Sequence, residues 1–183
     1  MYYLRDDIEQ AFQLYMDVIR LYPADIESLY HVAFIALGQE EFDIAQRYFD
    51  RLVKLKSDSF EILFGAGICN YQNQRINEAG NYFKDAANLK PQSEIVNIAL
   101  AFTFDKRRDY RQAIAYIQKV ADSATEVQVQ FIAKRLLAFL LARMDKMDES
   151  IKLFQQILEL TQKNNIEEEE LVTLYDLGFA CLK

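Results

Sequence analysis

An alanine followed four residues later by a large side chain recurs along this chain at a constant interval. The first four copies begin 34 residues apart, and a fifth, in which serine replaces alanine, follows after 37 residues. The five copies are Ala11/Tyr15, Ala45/Phe49, Ala79/Phe83, Ala113/Ile117 and Ser150/Phe154. A fixed interval of this length is typical of repeat proteins, in which each unit packs only on its neighbours. We therefore expect a stack of similar units that share one continuous core.

A second series of small residues has the same intervals up to Ala138, Gly178 follows after a longer step of 40 residues, and each member comes directly after an apolar residue. Its members are Ala33, Gly67, Ala101, Ala138 and Gly178. Around both series the apolar residues show the i, i+3, i+4, i+7 spacing of amphipathic helices. Each unit is therefore a helix A, a short turn and a helix B. The small residues let the two backbones approach, and the large side chain fills the space beside that contact.

Glycine and proline are scarce, with 5 and 2 copies, which indicates long helices joined by short loops. Four polar residues stand where helices A should begin, and we expect them to be N-caps: Asp25, Asp58, Ser93 and Thr125. Thr125 with Gln128, and Asp58 with Glu61, have the spacing of a capping box. Gly38 is expected to end the first full helix A.

This pattern resembles the tetratricopeptide repeat (TPR) family, whose unit of about 34 residues has an apolar–small pair in helix A and Ala-x-x-x-Phe in helix B. The resemblance covers essentially the whole chain. It implies an all-α, right-handed superhelical solenoid of antiparallel helix hairpins, with about four full repeats. We divide the chain, as one solenoid, into repeats 26–59, 60–93, 94–130 and 131–170, with partial units 1–25 and 171–183.

The chain neither begins nor ends at a repeat boundary. Met1 to Tyr3 align with the end of a helix A, and the first whole helix is expected from about Asp7 to Leu21. Residues 171–183 form a helix A with no helix B after it. We interpret the chain as a piece of a longer repeat protein, or alternatively as a protein whose exposed ends pair with another copy. Three extra residues are expected to lengthen the loop at 122–127, and six more, within 161–170, to lengthen the last connection or add a helical turn.

In the TPR family helices A line the concave face, and the fifth and ninth residues of each helix A face the groove. Here those places hold Tyr30 and Phe34, Phe64 and Ile68, Ile98 and Phe102, Arg135 and Phe139, and Tyr175 and Phe179. The ninth-place residues are apolar in all five units. If they face solvent, they form an interaction surface; the alternative is that they pack between adjacent helices A. We predict a non-catalytic scaffold or adaptor that binds an apolar or amphipathic protein or peptide segment in this groove.

Composition argues against several other functions. The net charge of −7 and pI near 4.8 disfavour nucleic acid as a partner, and the basic run at 106–108 with Arg111 is interpreted as a solvated loop. No apolar run approaches the roughly 20 residues that cross a bilayer, so we expect no membrane insertion. The two cysteines lie far apart in sequence and fit a reducing, cytoplasmic compartment.

Catalysis, metals and cofactors are not expected either. His31 is the single histidine, and we interpret it as a surface or groove-rim residue rather than a catalytic one. Cys69 is read as a buried filler, and the acidic run 167–170 as the N-terminus of a helix. Two other functions stay open. One is a self-associating assembly unit, using end residues such as Tyr2, Leu174 and Tyr175; the other is a regulatory array of a larger enzyme.

Overall fold

The structure, a computed structural model, describes residues 2–55, 59–164, 166, 172–173 and 176–177, with side chains from residue 7 onward. Over these residues each regular element that is bounded is an α-helix. The helices are α1 (Tyr2–Leu21), α2 (Ile26–Gly38), α3 (Phe42–Leu55), α4 (Phe60–Gln72), α5 (Ile76–Leu89), α6 (Glu94–Lys106), α7 (Tyr110–Ser123), α8 (Val127–Arg143) and α9 (Met147–Lys163). The expected all-α repeat fold is confirmed, with α2, α4, α6 and α8 as helices A.

The chain forms two compact units, Met1–Pro91 and Gln92–Lys183. Unit 1 contains α1 to α5 and unit 2 contains α6 to α9. The boundary lies in the connection between the second and third hairpins. The assignment of the whole chain to one solenoid stays a prediction.

In unit 1 each helix packs on the one before it, and α2 also contacts α4. Small residues create the room for this packing, as the sequence indicated. The ring of Phe83 lies so close to Gly67 that a Cβ there would come 2.5 Å from the ring Cε1 atom. A Cβ at Gly65 would likewise overlap the ring of Phe49. Glycine at these two positions lets helix A lie directly against a helix B ring.

In unit 2, α6 packs on α7, α7 on α8, and α8 on α9. One core cluster of this unit is formed by Phe131 and Ala138 of α8 with Phe154 and Ile157 of α9, and Leu177 packs against it. Ser150, which replaces alanine in this repeat, is fully buried. The small-residue contact is therefore kept where the sequence departs from alanine.

Every described turn from helix A to helix B is closed in the same way. One residue in each has a left-handed backbone, with φ between 60° and 63°: Glu40, Gln74, Arg108 and Asp145. The amide of the next residue donates to the carbonyl five residues earlier, as Glu41 does to Ala36 at 2.9 Å. This is the Schellman motif. Helix α2 does end at Gly38, but Glu40 adopts the left-handed conformation.

The predicted N-caps have mixed outcomes. Asp25 caps α2, because its carboxylate accepts a hydrogen bond from the Ser28 amide at 2.8 Å, and the bonds from Ser28 lower the pKa of Asp25. Ser93 occupies the N-cap position of α6 without a side-chain bond. The prediction for Thr125 is wrong: α8 begins at Val127, so the cap position falls on Glu126. Asp58 lies outside the described residues, and the N-cap of α4 is Ser59.

Two predicted lengths also need correction, and at α9 one of the two expected alternatives is found. The extra residues before Phe131 lengthen α8 to 17 residues, against 13 in α2, and only residues 124–126 connect it to α7. Helix α9 likewise has 17 residues against 14 in α3, so a helical turn was added there. Helix α1 begins at Tyr2 rather than near Asp7, and Tyr2 and Tyr3 do not end a helix A. No proline or glycine precedes Pro23, so nothing interrupts the helical backbone.

Candidate functional site

The predicted groove residues that the structure describes are neither core residues nor freely solvated side chains. Tyr30, Phe34, Phe64, Ile68, Ile98, Arg135 and Phe139 are all half-buried, and Phe102 is exposed. Tyr175 and Phe179 lie outside the described residues. The described part of this surface therefore keeps one side of each residue available to solvent.

Three groove rings lean on the phenylalanine of helix B in their own hairpin. Phe34 meets Phe49 edge-on with ring centroids 5.2 Å apart, and Phe139 meets Phe154 in the same way at 5.3 Å. In the second hairpin the fifth-place ring, Phe64, meets Phe83 at 5.5 Å. Edge-to-face contacts of this kind are favourable, so these rings are held against the hairpin that carries them.

Phe102 is the exception among the described ninth-place residues. Its helix B, α7, carries Ile117 where the other three described hairpins carry phenylalanine. The ring of Phe102 has no aromatic partner among the described residues and is 38% exposed. An exposed ring of this size, next to other apolar side chains, is the kind of surface that partners bind.

Phe102 lines a cleft between α6 and α8 within unit 2, with a volume of about 630 Å³. We call it the α6–α8 cleft. Its walls are largely apolar, and they are formed by Ile98, Phe102, Phe131, Ile132, Leu136 and Phe139, with Asp105, Arg135 and Arg143. The predicted residues Ile98, Phe102, Arg135 and Phe139 are thus brought together in one place.

The two arginines of the cleft tie neighbouring helices together. Arg143 of α8 pairs with Asp105 of α6, and Asp105 raises the pKa of Arg143 further above its usual range. The Arg135 Nε atom lies 2.6 Å from an Asp176 carboxylate oxygen, and its guanidinium lies 5.5 Å from the Phe139 ring centroid. A guanidinium has five N–H donors in a fixed plane. The cleft can therefore offer both apolar contact and hydrogen bonds to a bound segment.

Sequence reasoning did not find Asp105, Ile132 or Arg143 as members of this cleft. A signal for the first ion pair was present, because Asp105 and Arg143 are separated by one repeat plus one residue. Residues at that spacing lie on adjacent helices A.

In unit 1 the groove residues make a row of ring contacts. Tyr30 and Phe34 have ring centroids 4.4 Å apart, and Phe60 and Phe64 are stacked at 5.7 Å. Lys90 lies over the Phe60 ring at 4.2 Å.

His31 and Cys69 both occupy packed positions in unit 1. The imidazole of His31 stacks on the Tyr15 ring at 4.5 Å. Cys69 is fully buried, as predicted, and burial raises the pKa of its thiol to about 12. The acidic run 167–170 and Cys181 lie outside the described residues. Across the described side chains, no three His, Cys, Asp or Glu residues come together in a way that could hold a metal ion.

A search of the described helices finds none that is both long and apolar enough to span a bilayer. The basic residues at 106–108 and Arg111 are exposed, as the sequence indicated. Their backbone is not a free loop, however, because Lys106 ends α6 and Arg108 is the left-handed residue of a Schellman turn. The guanidinium of Arg107 lies 5.5 Å from the ring centroid of Phe104.

Comparison with known proteins agrees with the repeat pattern. The family model described as tetratricopeptide repeat matches residues 35–94 and 98–165, which is more than half of the chain. No curated protein matches the chain in sequence.

Several solved structures have a similar fold. MamA from Desulfovibrio magneticus RS-1 has a TM-score of 0.78 at 19% identity, covering 87% of this chain and 88% of that one. YrrB, described as a TPR protein with an unusual peptide-binding site, has a TM-score of 0.81 at 10% identity, covering 93% and 84%. A thermophilic TPR protein from Thermus thermophilus has a TM-score of 0.62 at 18% identity, covering 100% and 94%. At these identities the likeness concerns the fold alone.

Proposed function

This chain belongs to the tetratricopeptide repeat family, and from that premise we propose that it is a non-catalytic scaffold whose α6–α8 cleft binds an apolar or amphipathic segment of another protein. The family's stacked hairpins are generally a protein–protein interaction fold without catalytic activity of its own. The resemblance to YrrB, described as having a peptide-binding site, supports the same class of function here.

The observation that carries the proposal is the exposed Phe102 ring on the wall of a mostly apolar cleft. Exposed apolar side chains are common when they are isolated, but a contiguous set around a concave space marks an interaction site. Phe102, Ile132 and Phe139 provide that set, with Ile132 also exposed. A helical segment could place residues at i, i+3, i+4 and i+7 against these side chains.

The test compares partner capture by three forms of the chain: the parent, Phe102→Glu, and the control Ile95→Glu. Ile95 lies on the same helix and is 55% exposed, but it does not line the cleft. Each form is immobilised, incubated with native lysate, and its bound proteins are identified by mass spectrometry. All three must first show the same helical circular dichroism and melting temperature.

We expect one or more proteins to be retained by the parent and by Ile95→Glu and to be lost from Phe102→Glu, because the variant lacks the apolar ring and its carboxylate would have to lose water when an apolar segment binds. Equal recovery from all three forms would move the binding site away from the cleft. Loss from both variants alike would mean that surface charge, rather than the cleft, controls capture.

A second candidate function, self-association, is favoured by the free face of α1. Leu14, Val18 and Leu21 are 67%, 36% and 73% exposed, and together with Ala11 they form a stripe along one side of the helix. In the next repeat the equivalents of Ala11 and Val18, Ala45 and Leu52, are fully buried, whereas the equivalent of Leu21, Leu55, is 46% exposed. The part of the α1 stripe at Ala11 and Val18 thus resembles the helix B surface that packs on other helices in the next repeat.

Sedimentation equilibrium distinguishes this second function from the first. If α1 mediates self-association, the mass of the parent rises with concentration, whereas Leu14→Glu stays monomeric. Leu89→Glu, which adds the same charge at an exposed leucine on α5, should behave like the parent. A parent that stays monomeric at all concentrations rules out this function. The roles predicted for Tyr2, Leu174 and Tyr175 concern side chains outside the described set.

A further inference from the structure

A second groove lies on the helix B side of unit 2, between α7 and α9. We call it the α7–α9 groove; its volume is about 500 Å³. Its floor is apolar, because α8 contributes the buried side chains of Leu137 and Leu141, and Ile114 and Leu153 flank them. The α6–α8 cleft uses a different side of α8, so one segment cannot fill both.

The rim of this groove is positively charged. Arg111 of α7, Lys152 of α9 and Lys146 line it, and Glu149 is the single carboxylate among its lining residues. Lys146 already pairs with Glu149 at 2.8 Å. The ion pairs among the described residues leave Arg111 and Lys152 without a carboxylate partner. The chain has a net charge of −7. Two unpaired cations, one on each side of an apolar groove, are therefore a local departure from its acidic character.

Charge complementarity selects the occupant. A carboxylate of the bound segment that pairs with Arg111 or Lys152 would neutralise an unpaired cation. A basic segment would be repelled by both residues. The rim residues Arg111, Lys152 and Gln156 are exposed, so the groove is open along one side. An acyl chain placed there would keep much of its surface in water. An amphipathic helix would not, because its polar face could remain solvated.

We propose that the α7–α9 groove is a second docking surface, for an acidic amphipathic helix of a partner protein. Apolar side chains of that helix lie on Leu137, Leu141 and Leu153, and glutamate or aspartate side chains flanking them pair with Arg111 and Lys152. The α6–α8 cleft differs in charge, because both of its arginines are already in ion pairs. Both surfaces of unit 2 can be occupied at the same time.

The experiment measures binding of two fluorescent synthetic peptides by anisotropy, each of about 18 residues with leucines at helical spacing. One peptide has glutamate at the positions beside the leucine stripe, and the other has lysine at the same positions. The forms compared are the parent chain, Arg111→Glu/Lys152→Glu, the control Lys119→Glu/Lys163→Glu, and Phe102→Glu. The control changes the same total charge on exposed residues of the same two helices, and neither of its residues lines the groove.

The acidic peptide should bind the parent saturably and at least about tenfold more tightly than the basic peptide. Arg111→Glu/Lys152→Glu should weaken the acidic peptide by about tenfold or more, and the control should change its affinity by less than about twofold at physiological salt, where distant charges are screened. Phe102→Glu should bind it as the parent does.

Any of four results overturns the proposal. These are no saturable binding of the acidic peptide, equal affinity for both peptides, equal weakening by the control, or a loss in Phe102→Glu that would place the peptide in the α6–α8 cleft. Phosphatidylserine vesicles provide the last arm. If the chain co-sediments with them but does not bind the acidic peptide, the basic rim serves a membrane surface instead.

Discussion

Phe34 in unit 1 and Phe102 in unit 2 occupy the same place of helix A, yet their surroundings differ. Phe34 is half-buried because its ring meets Phe49 of helix B. Phe102 belongs to a hairpin whose helix B has Ile117 at that position, and its ring is exposed. The exposure of the ninth-place residue therefore depends on which side chain helix B of the same hairpin places against it. Where isoleucine replaces the helix B phenylalanine, the ninth-place ring loses its aromatic partner and is the most exposed of the described ninth-place residues.

Helix α4 of unit 1 and helix α6 of unit 2 also differ at their small residues. In unit 1, Gly65 and Gly67 allow the rings of Phe49 and Phe83 to lie directly against α4. In unit 2 the equivalent positions of α6 hold Ala99 and Ala101, whose methyl groups need that space. The second hairpin thus packs its rings directly on helix A, whereas the third leaves the Phe102 ring available for binding.

The largest expected difference between the units comes from deleting the helix B side chain. Phe49→Ala should destabilise the chain by about 3–5 kcal/mol, since it leaves a ring-sized cavity beside Phe34 and Gly65, and Ile117→Ala by about 2–4 kcal/mol. Urea unfolding followed by circular dichroism measures both. A larger cost for Ile117→Ala would contradict the view that unit 1 is the more tightly packed.

A methyl group added to α4 tests the ring-on-glycine contact directly. Gly65→Ala should cost about 2 kcal/mol, because its Cβ would overlap the fully buried Phe49 ring. Gly38→Ala is the matched control, as no atom lies within 4 Å of a Cβ placed there, and it should be neutral or slightly stabilising. Melting temperatures of the two variants, compared with the parent, give the answer. Equal shifts would mean that the ring moves aside at no cost.

Giving the third hairpin a helix B phenylalanine, as in the first hairpin, should reduce the solvent exposure of the Phe102 ring. In Ile117→Phe the new ring occupies the place of Phe49, and we expect Phe102 to lean on it as Phe34 does. Hydroxyl-radical footprinting with mass spectrometry should then find oxidation of Phe102 reduced by about twofold. Phe64, in the other unit, provides the internal control and should be unchanged. Unaltered oxidation of Phe102 would mean that Ile117 does not determine its exposure.

The smallest expected difference concerns the turns, which are alike in both units. Gln74→Gly in unit 1 and Arg108→Gly in unit 2 should each stabilise the chain by about 1 kcal/mol, because glycine has no Cβ penalty in the left-handed conformation. Thermal unfolding of the two variants should give the same shift. A gain in one unit only would show that the turns, too, have diverged.

The sequence predicted the hairpins well because their spacing depends on local sterics. The interval between Ala45, Ala79 and Ala113 located each helix B, and Asp25 was identified as a cap from its side-chain chemistry and its place at the expected start of helix A. The predictions failed where two local backbone conformations have similar free energies. Three inserted residues fit a loop or an extra helical turn equally well in sequence terms, and α8 took the turn because it could extend its apolar face.

The candidate site was predicted only in part. Ile98, Phe102, Arg135 and Phe139 were named, but the ion pair between Asp105 and Arg143 and the whole α7–α9 groove were not. Arg111 was interpreted as part of a solvated loop. Its role in a rim depends on Lys152, which is 41 residues away, and no local pattern links the two.

The sequence by itself determined the number, order and approximate bounds of the hairpins, together with the family. These follow from the repeat interval, which can be read directly from the positions of the recurring residues in the sequence. Only the tertiary structure decided which groove residues are exposed, which charges are paired, and where clefts remain between helices. Those properties depend on side chains that reach one position from two or three different helices, and the packing of those helices sets whether water is excluded.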